Sequence, residues 1–140
     1  MIQGIDHIDI GVSDVEKCVK DLENMGFKVL ARVDLHGGTV QLQCPGTNQP
    51  VFELHPVGHG GVEDTRVNHI AFKSDDVQET YDDLTSKGLV FMRAPSYNED
   101  SGRTLCNLDD PDNPSTGERG AHKNAIDIWG FVPQLVDAEK

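Results

Sequence analysis

A chain of 140 residues is long enough to form one domain with a buried core. Its formal net charge of −12 and its pI near 4.7 argue against nucleic acids and anionic membranes as partners. No apolar stretch approaches the roughly 20 residues of a membrane span, no signal peptide is expected, and three cysteines without CxxC spacing are typical of reduced thiols in a cytoplasmic protein.

The first half of the chain predicts one strand, one helix and three further strands. The segment Ser13-Asp14-Val15-Glu16 has the pattern of a capping box, and apolar residues at helical spacing follow it. We therefore expect a helix over Asp14–Met25, which Gly26 is placed to end. The strands after this helix are expected over Phe27–Asp34, Thr39–Cys44 and Val51–His55.

The second half predicts the same series of elements. A helix is expected over Asp76–Lys87, with Gly88 as its end. The predicted strands cover Leu89–Arg93, Arg103–Leu108 and Ala125–Trp129. The segments Ala94–Gly102 and Asp109–Asn124 are rich in Gly, Pro and Asp, so we expect irregular loops that close over a substrate. The polar tail after Phe131 is expected to be frayed.

A repeat with a fixed offset relates the two halves. Ile-Asp-His7-Ile returns as Asn-His69-Ile, 62 residues later, and the same offset relates Asp14 to Asp76 and Gly26 to Gly88. The repeat predicts an α+β protein built from two tandem βαβββ modules, at about residues 4–57 and 66–131 of a single domain over 1–140.

Each half also carries a histidine in its first strand and a carboxylate in its last. Because side chains alternate along a strand, the aliphatic residues of each strand share one face and the polar residues share the other. We expect the aliphatic face to pack under the helix and the polar residues to meet in a cleft. Two histidines and two carboxylates are suitable ligands for a divalent metal ion, and the predicted ligands are His7, Glu53, His69 and Asp127.

Two further residues are candidates for contact with a substrate. His55 lies two residues from Glu53 and so shares its face, where it would support the site, contact a substrate or line the rim. Arg103 follows the first of the two loops and would bind an anionic group, or would be an exposed charge at the start of a strand.

These motifs resemble the vicinal oxygen chelate superfamily, which includes glyoxalase I, methylmalonyl-CoA epimerase, fosfomycin-resistance proteins, extradiol dioxygenases and bleomycin-binding proteins. The resemblance extends from Ile5 to about Phe131. It implies paired βαβββ modules that form an open barrel around a metal ion. The last ligand of the family is usually Glu, where this chain would place Asp127. The segments that carry the resemblance are Ile5-Asp6-His7-Ile8, Ser13-Asp14-Val15, Phe52-Glu53-Leu54, Asn68-His69-Ile70-Ala71-Phe72, Asp75-Asp76-Val77, Asp110-Pro111-Asp112-Asn113 and Ile126-Asp127-Ile128.

The resemblance implies a metal-dependent enzyme of glyoxalase type, a lyase or isomerase. A small substrate with two neighbouring oxygens would chelate one divalent ion (Ni, Co, Mn, Zn or Fe), and Glu53 or Asp127 would move a proton through a metal-chelated enediolate. One alternative is a ring-cleaving Fe(II) dioxygenase, and the other is a metal-free protein that sequesters a small molecule. We expect a homodimer, with the two modules meeting within one chain or between two chains.

Overall fold

A computed structural model describes residues 1–59, 64–112 and 121–138, with backbone alone at 121–124. In these ranges the elements follow in the order β1 (Ile2–Val12), α1 (Val15–Asn24), β2 (Lys28–Val33), β3 (Thr39–Gln43), β4 (Val51–Pro56), β5 (Arg66–Ser74), α2 (Val77–Ser86), β6 (Ser96–Asn98), β7 (Arg103–Asn107), α3 (Ala121–Trp129) and β8 (Val132–Asp137). They form two units. The N-terminal unit covers His7–Asn68, and the C-terminal unit combines Met1–Asp6 with His69–Lys140.

The N-terminal unit is a helix packed on strands in the order β2-β3-β4-β1. β1 is parallel to β4, whereas β3 is antiparallel to both β2 and β4. The Asp14 side chain caps α1 by accepting a hydrogen bond from the backbone of Lys17, at 3.0 Å. The aliphatic faces of the helix and strands form a core around Val12, Val19, Val40, Leu42 and Leu54.

The C-terminal unit repeats this arrangement with the strand order β5-β8-β7-β6. β5 is parallel to β8, and β7 is antiparallel to β8 and to β6. Asp76 caps α2 through the backbone of Glu79, at 3.0 Å. Its core centres on Val77, Cys106 and Leu135. The predicted α+β class and the two βαβββ modules are therefore confirmed, as are both helices.

The predicted last strand is wrong. Ala125–Trp129 belongs to helix α3, which ends at Trp129 and is followed by Gly130 with a backbone φ of 78°. The strand parallel to β5 is β8, in the segment that the sequence suggested was frayed. The five residues Val132–Val136 are all buried, so the strand has the near-continuous apolar character of a strand covered on both faces. The alternation in Ala-Ile-Asp-Ile-Trp was too short to distinguish a strand from a helix.

The segment between α2 and β7 also differs from the prediction. Leu89–Arg93 is not a strand, because only Phe91 makes a ladder contact there, an isolated bridge to Leu108. The short strand β6 lies instead within the segment Ala94–Gly102, which was predicted to be an irregular loop. Half of the second predicted loop, Asp109–Asn124, lies outside the described part of the chain, and its last four residues begin α3. Among the described residues, no helix has the length and apolar character that crossing a membrane requires.

The corrected last strand makes a testable prediction about stability. Leu135 is 1% exposed at the centre of the C-terminal core, so Leu135→Ala should lower the free energy of unfolding by about 2–5 kcal/mol in a urea titration. Leu30→Ala is the matched control, because the Leu30 side chain is 54% exposed and should contribute little. A change below about 0.5 kcal/mol for Leu135→Ala would mean that this segment is not part of the folded core.

Candidate metal and proton-transfer site

The polar face of the N-terminal unit brings His7 and Glu53 together. In the parallel pair β1–β4, Asp9 lies opposite Glu53 and His7 lies one pleat earlier on the same face. The His7 Nε2 and Glu53 Oε2 atoms are 3.9 Å apart. Two ligands that each lie about 2.0–2.2 Å from one ion are separated by roughly 3–4 Å, so this nitrogen and this oxygen fit a shared divalent ion.

Glu53 is held on its other side by an amide. Gln41 of β3 lies directly opposite Glu53, and its Nε2 donates a hydrogen bond to Glu53 Oε1 at 3.3 Å. One carboxylate oxygen is thus bound to the neighbouring strand, while the other faces His7. The Glu53 side chain is half-buried, so it keeps a route to a small molecule in the cleft.

A buried ion pair lies beside Glu53. His55 Nε2 is 2.6 Å from Asp9 Oδ1, and His55 Nδ1 is 3.0 Å from the carbonyl oxygen of Pro56. Both ring nitrogens lie beside oxygens that accept hydrogen bonds, an arrangement that stabilises the charged imidazolium, in which both nitrogens donate. Burial is the largest single influence and acts to lower the pKa of His55, but the hydrogen bonds to Asp9 and Pro56 and the charges of Asp9 and Glu53 together outweigh it, so the pKa is raised.

The same geometry corrects the predicted role of His55. Its side chain is 0% exposed, so direct contact with a substrate is not open to it. Asn68 Nδ2 is 3.4 Å from the same oxygen of Asp9, which is itself 1% exposed. His55 and Asn68 therefore both hold the buried Asp9 carboxylate beneath the polar face.

The C-terminal unit places His69 at the position that His7 holds in the N-terminal unit. His69 pairs with Val132 in the parallel pair β5–β8, as His7 pairs with Val51 in β1–β4. Two residues further along, Ala71 pairs with Gln134, as Asp9 pairs with Glu53. The residue that repeats Glu53 is therefore Gln134, an amide in place of a carboxylate.

Gln134 was missed by the sequence analysis. It is 6% exposed, and its Nε2 donates a hydrogen bond to Asn107 Oδ1 at 2.9 Å. A sequence signal for Gln134 exists in the mostly apolar run Val132–Val136, which follows Gly130 at the end of a helix. Such a run is typical of a buried parallel strand.

Asp127 does not lie in the strand that pairs with β5. Its side chain is exposed on α3, on the segment that was predicted to be a strand. The assignment of Asp127 as metal ligand or catalytic base depended on that strand and loses its support, and the structure offers Gln134 at the repeated position instead.

Arg103 is a structural residue rather than an open anion site. Its two terminal nitrogens lie 2.7 and 3.0 Å from the two carboxylate oxygens of Asp6. The guanidinium also donates to the backbone carbonyl of Asp137, and its Nε is 3.4 Å from the Asp137 carboxylate. The predicted contact with an anionic substrate is not supported, because two carboxylates already balance this charge. Arg103, at the start of β7, instead ties the middle of β1 to the end of β8.

Comparison with known families identifies the fold. Residues 4–113 match the model of the Glyoxalase/Bleomycin resistance protein/Dioxygenase superfamily. The chain belongs to this superfamily. The match covers both strands that carry the histidines and the strand that carries Glu53, and it confirms the resemblance drawn from those motifs.

Several solved structures share the fold of this superfamily member. The chain is similar to a Streptomyces coelicolor methylmalonyl-CoA epimerase in complex with 2-nitronate-propionyl-CoA, with 20% identity, full coverage of both chains and a TM-score of 0.72. It is also similar to methylmalonyl-CoA epimerase from Mycobacterium tuberculosis, with 14% identity, 99% and 90% coverage and a TM-score of 0.70. A hypothetical protein from Bacillus halodurans has 15% identity, 97% and 94% coverage and a TM-score of 0.67. No curated protein sequence matches the chain.

The structural role of Arg103 can be tested by its removal. Arg103→Met leaves Asp6 without its bidentate partner in a half-buried position, so the free energy of unfolding should fall by about 1.5–3 kcal/mol in a urea titration. Lys17→Met, which removes an exposed ion pair with Asp21, is the control and should change little. If Arg103→Met were as stable as the unmodified protein, the guanidinium would be available for another role.

Proposed function

We propose that this chain is a metal-dependent isomerase that moves a proton on a small substrate with two neighbouring oxygens. His7, Glu53 and His69 would hold one divalent ion. The observation that supports this most strongly is the repeated register, in which each unit places a histidine at the same point of a parallel strand pair. Two imidazoles and a carboxylate suit a divalent ion of Ni, Co, Mn, Zn or Fe.

The metal ion, when bound, would act as a Lewis acid towards the substrate oxygens. The proton would be moved by Glu53, the only carboxylate among the four repeated positions, because its counterpart Gln134 cannot accept a proton at neutral pH. The C–H bond next to a carbonyl would break, and its proton would pass to the Glu53 carboxylate. Gln41 would keep the carboxylate in place during this step.

A single carboxylate favours one kind of isomerisation over another. Inversion of a carbon centre by two bases requires a proton acceptor on each side of the substrate, whereas a shift between neighbouring carbons needs one group that takes the proton and returns it. The likeness to methylmalonyl-CoA epimerases supports proton transfer in general. The exchange of a carboxylate for Gln134 supports a one-base reaction of glyoxalase type on this scaffold.

A second function is favoured by the presence of Gln134 in place of a second carboxylate. Without Asp127, the proposed ligands are two histidines and one carboxylate. This is the donor set of non-haem Fe(II) oxygenases. A ring-cleaving dioxygenase is therefore the alternative, and oxygen uptake by the Fe(II)-loaded protein with a catechol would identify it. The homodimer and the cytoplasmic location stay predictions.

The proposed ligands predict the metal content of the purified protein. Protein prepared without chelator should contain close to one divalent ion per site, and His7→Ala and His69→Ala should each lose it in elemental analysis. His59→Ala, which removes an exposed loop histidine, is the matched control and should keep the ion. Full occupancy in both ligand variants would contradict the proposal, and a metal-free wild-type protein would favour a small-molecule binding function.

The role of Glu53 predicts a separate change in turnover. Glu53→Gln keeps an oxygen that can bind the ion but removes the proton acceptor, so exchange of solvent deuterium into substrate carbon should fall by roughly 10²–10⁴-fold with metal still bound. The assay would use a panel of 2-oxo, 2-hydroxy and thioester compounds, with mass spectrometry as readout. Glu99→Gln, at an exposed glutamate, should retain the wild-type rate. An unchanged exchange rate in Glu53→Gln would exclude Glu53 as the base.

A further inference from the structure

The polar face of the C-terminal unit carries a lysine that the proposed metal site does not use. Along β5, Phe72 packs against the core beside α2, and the Ser74 hydroxyl forms a hydrogen bond with Thr80 of that helix at 2.8 Å. Because side chains alternate along a strand, the odd-numbered residues of β5 project from the opposite face. Lys73 therefore shares the face of His69, four residues further along the same strand.

Lys73 is half-buried and has no carboxylate partner among the described residues. The ion pairs there join four other basic side chains to carboxylates, namely Lys17, Arg32, Lys87 and Arg103. The carboxylates where β5 and β8 end are engaged elsewhere: Asp75 accepts a hydrogen bond from the N-terminal amino group at 2.7 Å, and Asp137 lies 3.4 Å from Arg103 Nε. The Lys73 ammonium is therefore open to an anionic group of a ligand.

The repeat shows that this cation belongs to the second unit alone. At the offset of 62 residues Lys73 corresponds to Gly11, which has no side chain. The position before it differs as well, because Ala71 stands where the first unit has Asp9. At these paired positions the N-terminal unit carries the carboxylates of Asp9 and Glu53, whereas the C-terminal unit carries no carboxylate and one ammonium.

We propose that Lys73 binds a second, anionic group of the substrate, a carboxylate or a phosphate, while the two neighbouring oxygens of the same molecule chelate the ion held by His69. This inference rests on the proposed metal-binding function and narrows its substrate class. The Cα atoms of His69 and Lys73 are about 13 Å apart, at a rise of about 3.3 Å per residue. The imidazole ring and the four-carbon stem of lysine each span part of that distance. The anionic group would therefore lie only a few bonds from the chelating oxygens.

The test measures how the cobalt-loaded protein binds a matched pair of 2-oxo acids. The compounds 2-oxoglutarate and 2-oxopentanoate offer the ion the same pair of neighbouring oxygens and differ only in the distal carboxylate. Calorimetry gives the affinity of each, and the visible spectrum of Co²⁺ shows whether the probe has reached the ion. We expect the wild-type protein to bind 2-oxoglutarate about 10–100-fold more tightly, which corresponds to one hydrogen bond between charged groups.

Three substitutions assign that preference to Lys73. Lys73→Met keeps an apolar stem and removes the charge, so the two probes should bind with equal affinity. Lys73→Arg keeps a cation and should retain most of the preference. Lys20→Met, at an exposed lysine of α1, changes the net charge by the same amount and should leave the preference unchanged.

A third probe distinguishes the two kinds of anionic group. The compound 2-oxo-4-phosphonobutanoate carries a phosphonate where 2-oxoglutarate has its distal carboxylate. Tighter binding of the phosphonate would indicate a phosphorylated substrate, and tighter binding of 2-oxoglutarate would indicate a dicarboxylate. Either preference over 2-oxopentanoate supports the inference if Lys73→Met abolishes it.

The outcomes separate this inference from the proposed function. Wild-type protein that binds no Co²⁺ would overturn both. Cobalt-loaded protein that binds all three probes equally, or none of them, would overturn the role of Lys73 alone. The same holds if Lys73→Met retains the wild-type preference, because another group would then recognise the anion.

Discussion

The fixed register of two parallel strand pairs is the constraint on which the rest of the structure depends. In β1–β4, His7 shares one face of the strand pair with Glu53, which lies two positions further along the register. In β5–β8, His69 shares the equivalent face with Gln134. The opposite face carries the aliphatic residues, such as Leu54 and Leu135, that pack under a helix. A shift of one residue in either pair would move the polar residues into a core and the aliphatic residues out of it. The burial of apolar side chains therefore also fixes the positions of the proposed ligands.

The polar face is stabilised by pairing charges rather than by exposing them. Asp9 is buried directly opposite Glu53, and two carboxylates so close would repel each other if nothing balanced them. The His55 ring pairs with Asp9 and balances its charge. The Glu53 carboxylate can therefore direct its negative charge towards the cleft beside His7. A divalent ion bound by His7, Glu53 and His69 would retain about one positive charge, because Glu53 alone is anionic among them. Such a site favours a substrate that brings negative charge on its oxygens.

Much of the fold could be predicted from the sequence because its signals are local. The capping-box segment Ser13-Asp14-Val15-Glu16, the terminal glycines Gly26 and Gly88 and the repeat offset predicted two helices, and the structure confirms both, with Asp14 and Asp76 as their N-caps. The pairing of His7 with Glu53 followed from the period of two along β1 and β4. The last strand could not be found in this way, because the second half inserts α3 before β8 and shifts the partner of β5 beyond the predicted segment. The roles of Arg103 and His55 depended on long-range partners, Asp6 and Asp9, that no local pattern specifies.

The central claim is that two repeated histidines bind the same ion, and X-ray absorption spectroscopy of the cobalt-loaded protein tests it most directly. The account predicts scattering from two imidazole rings per ion, a remaining shell of oxygen ligands and no sulfur, since the three cysteines are free and lie outside the proposed site. In His69→Ala protein reloaded at high cobalt concentration, the imidazole contribution should fall to one ring. A wild-type spectrum with one imidazole ring or none, or with sulfur in the first shell, would contradict the account.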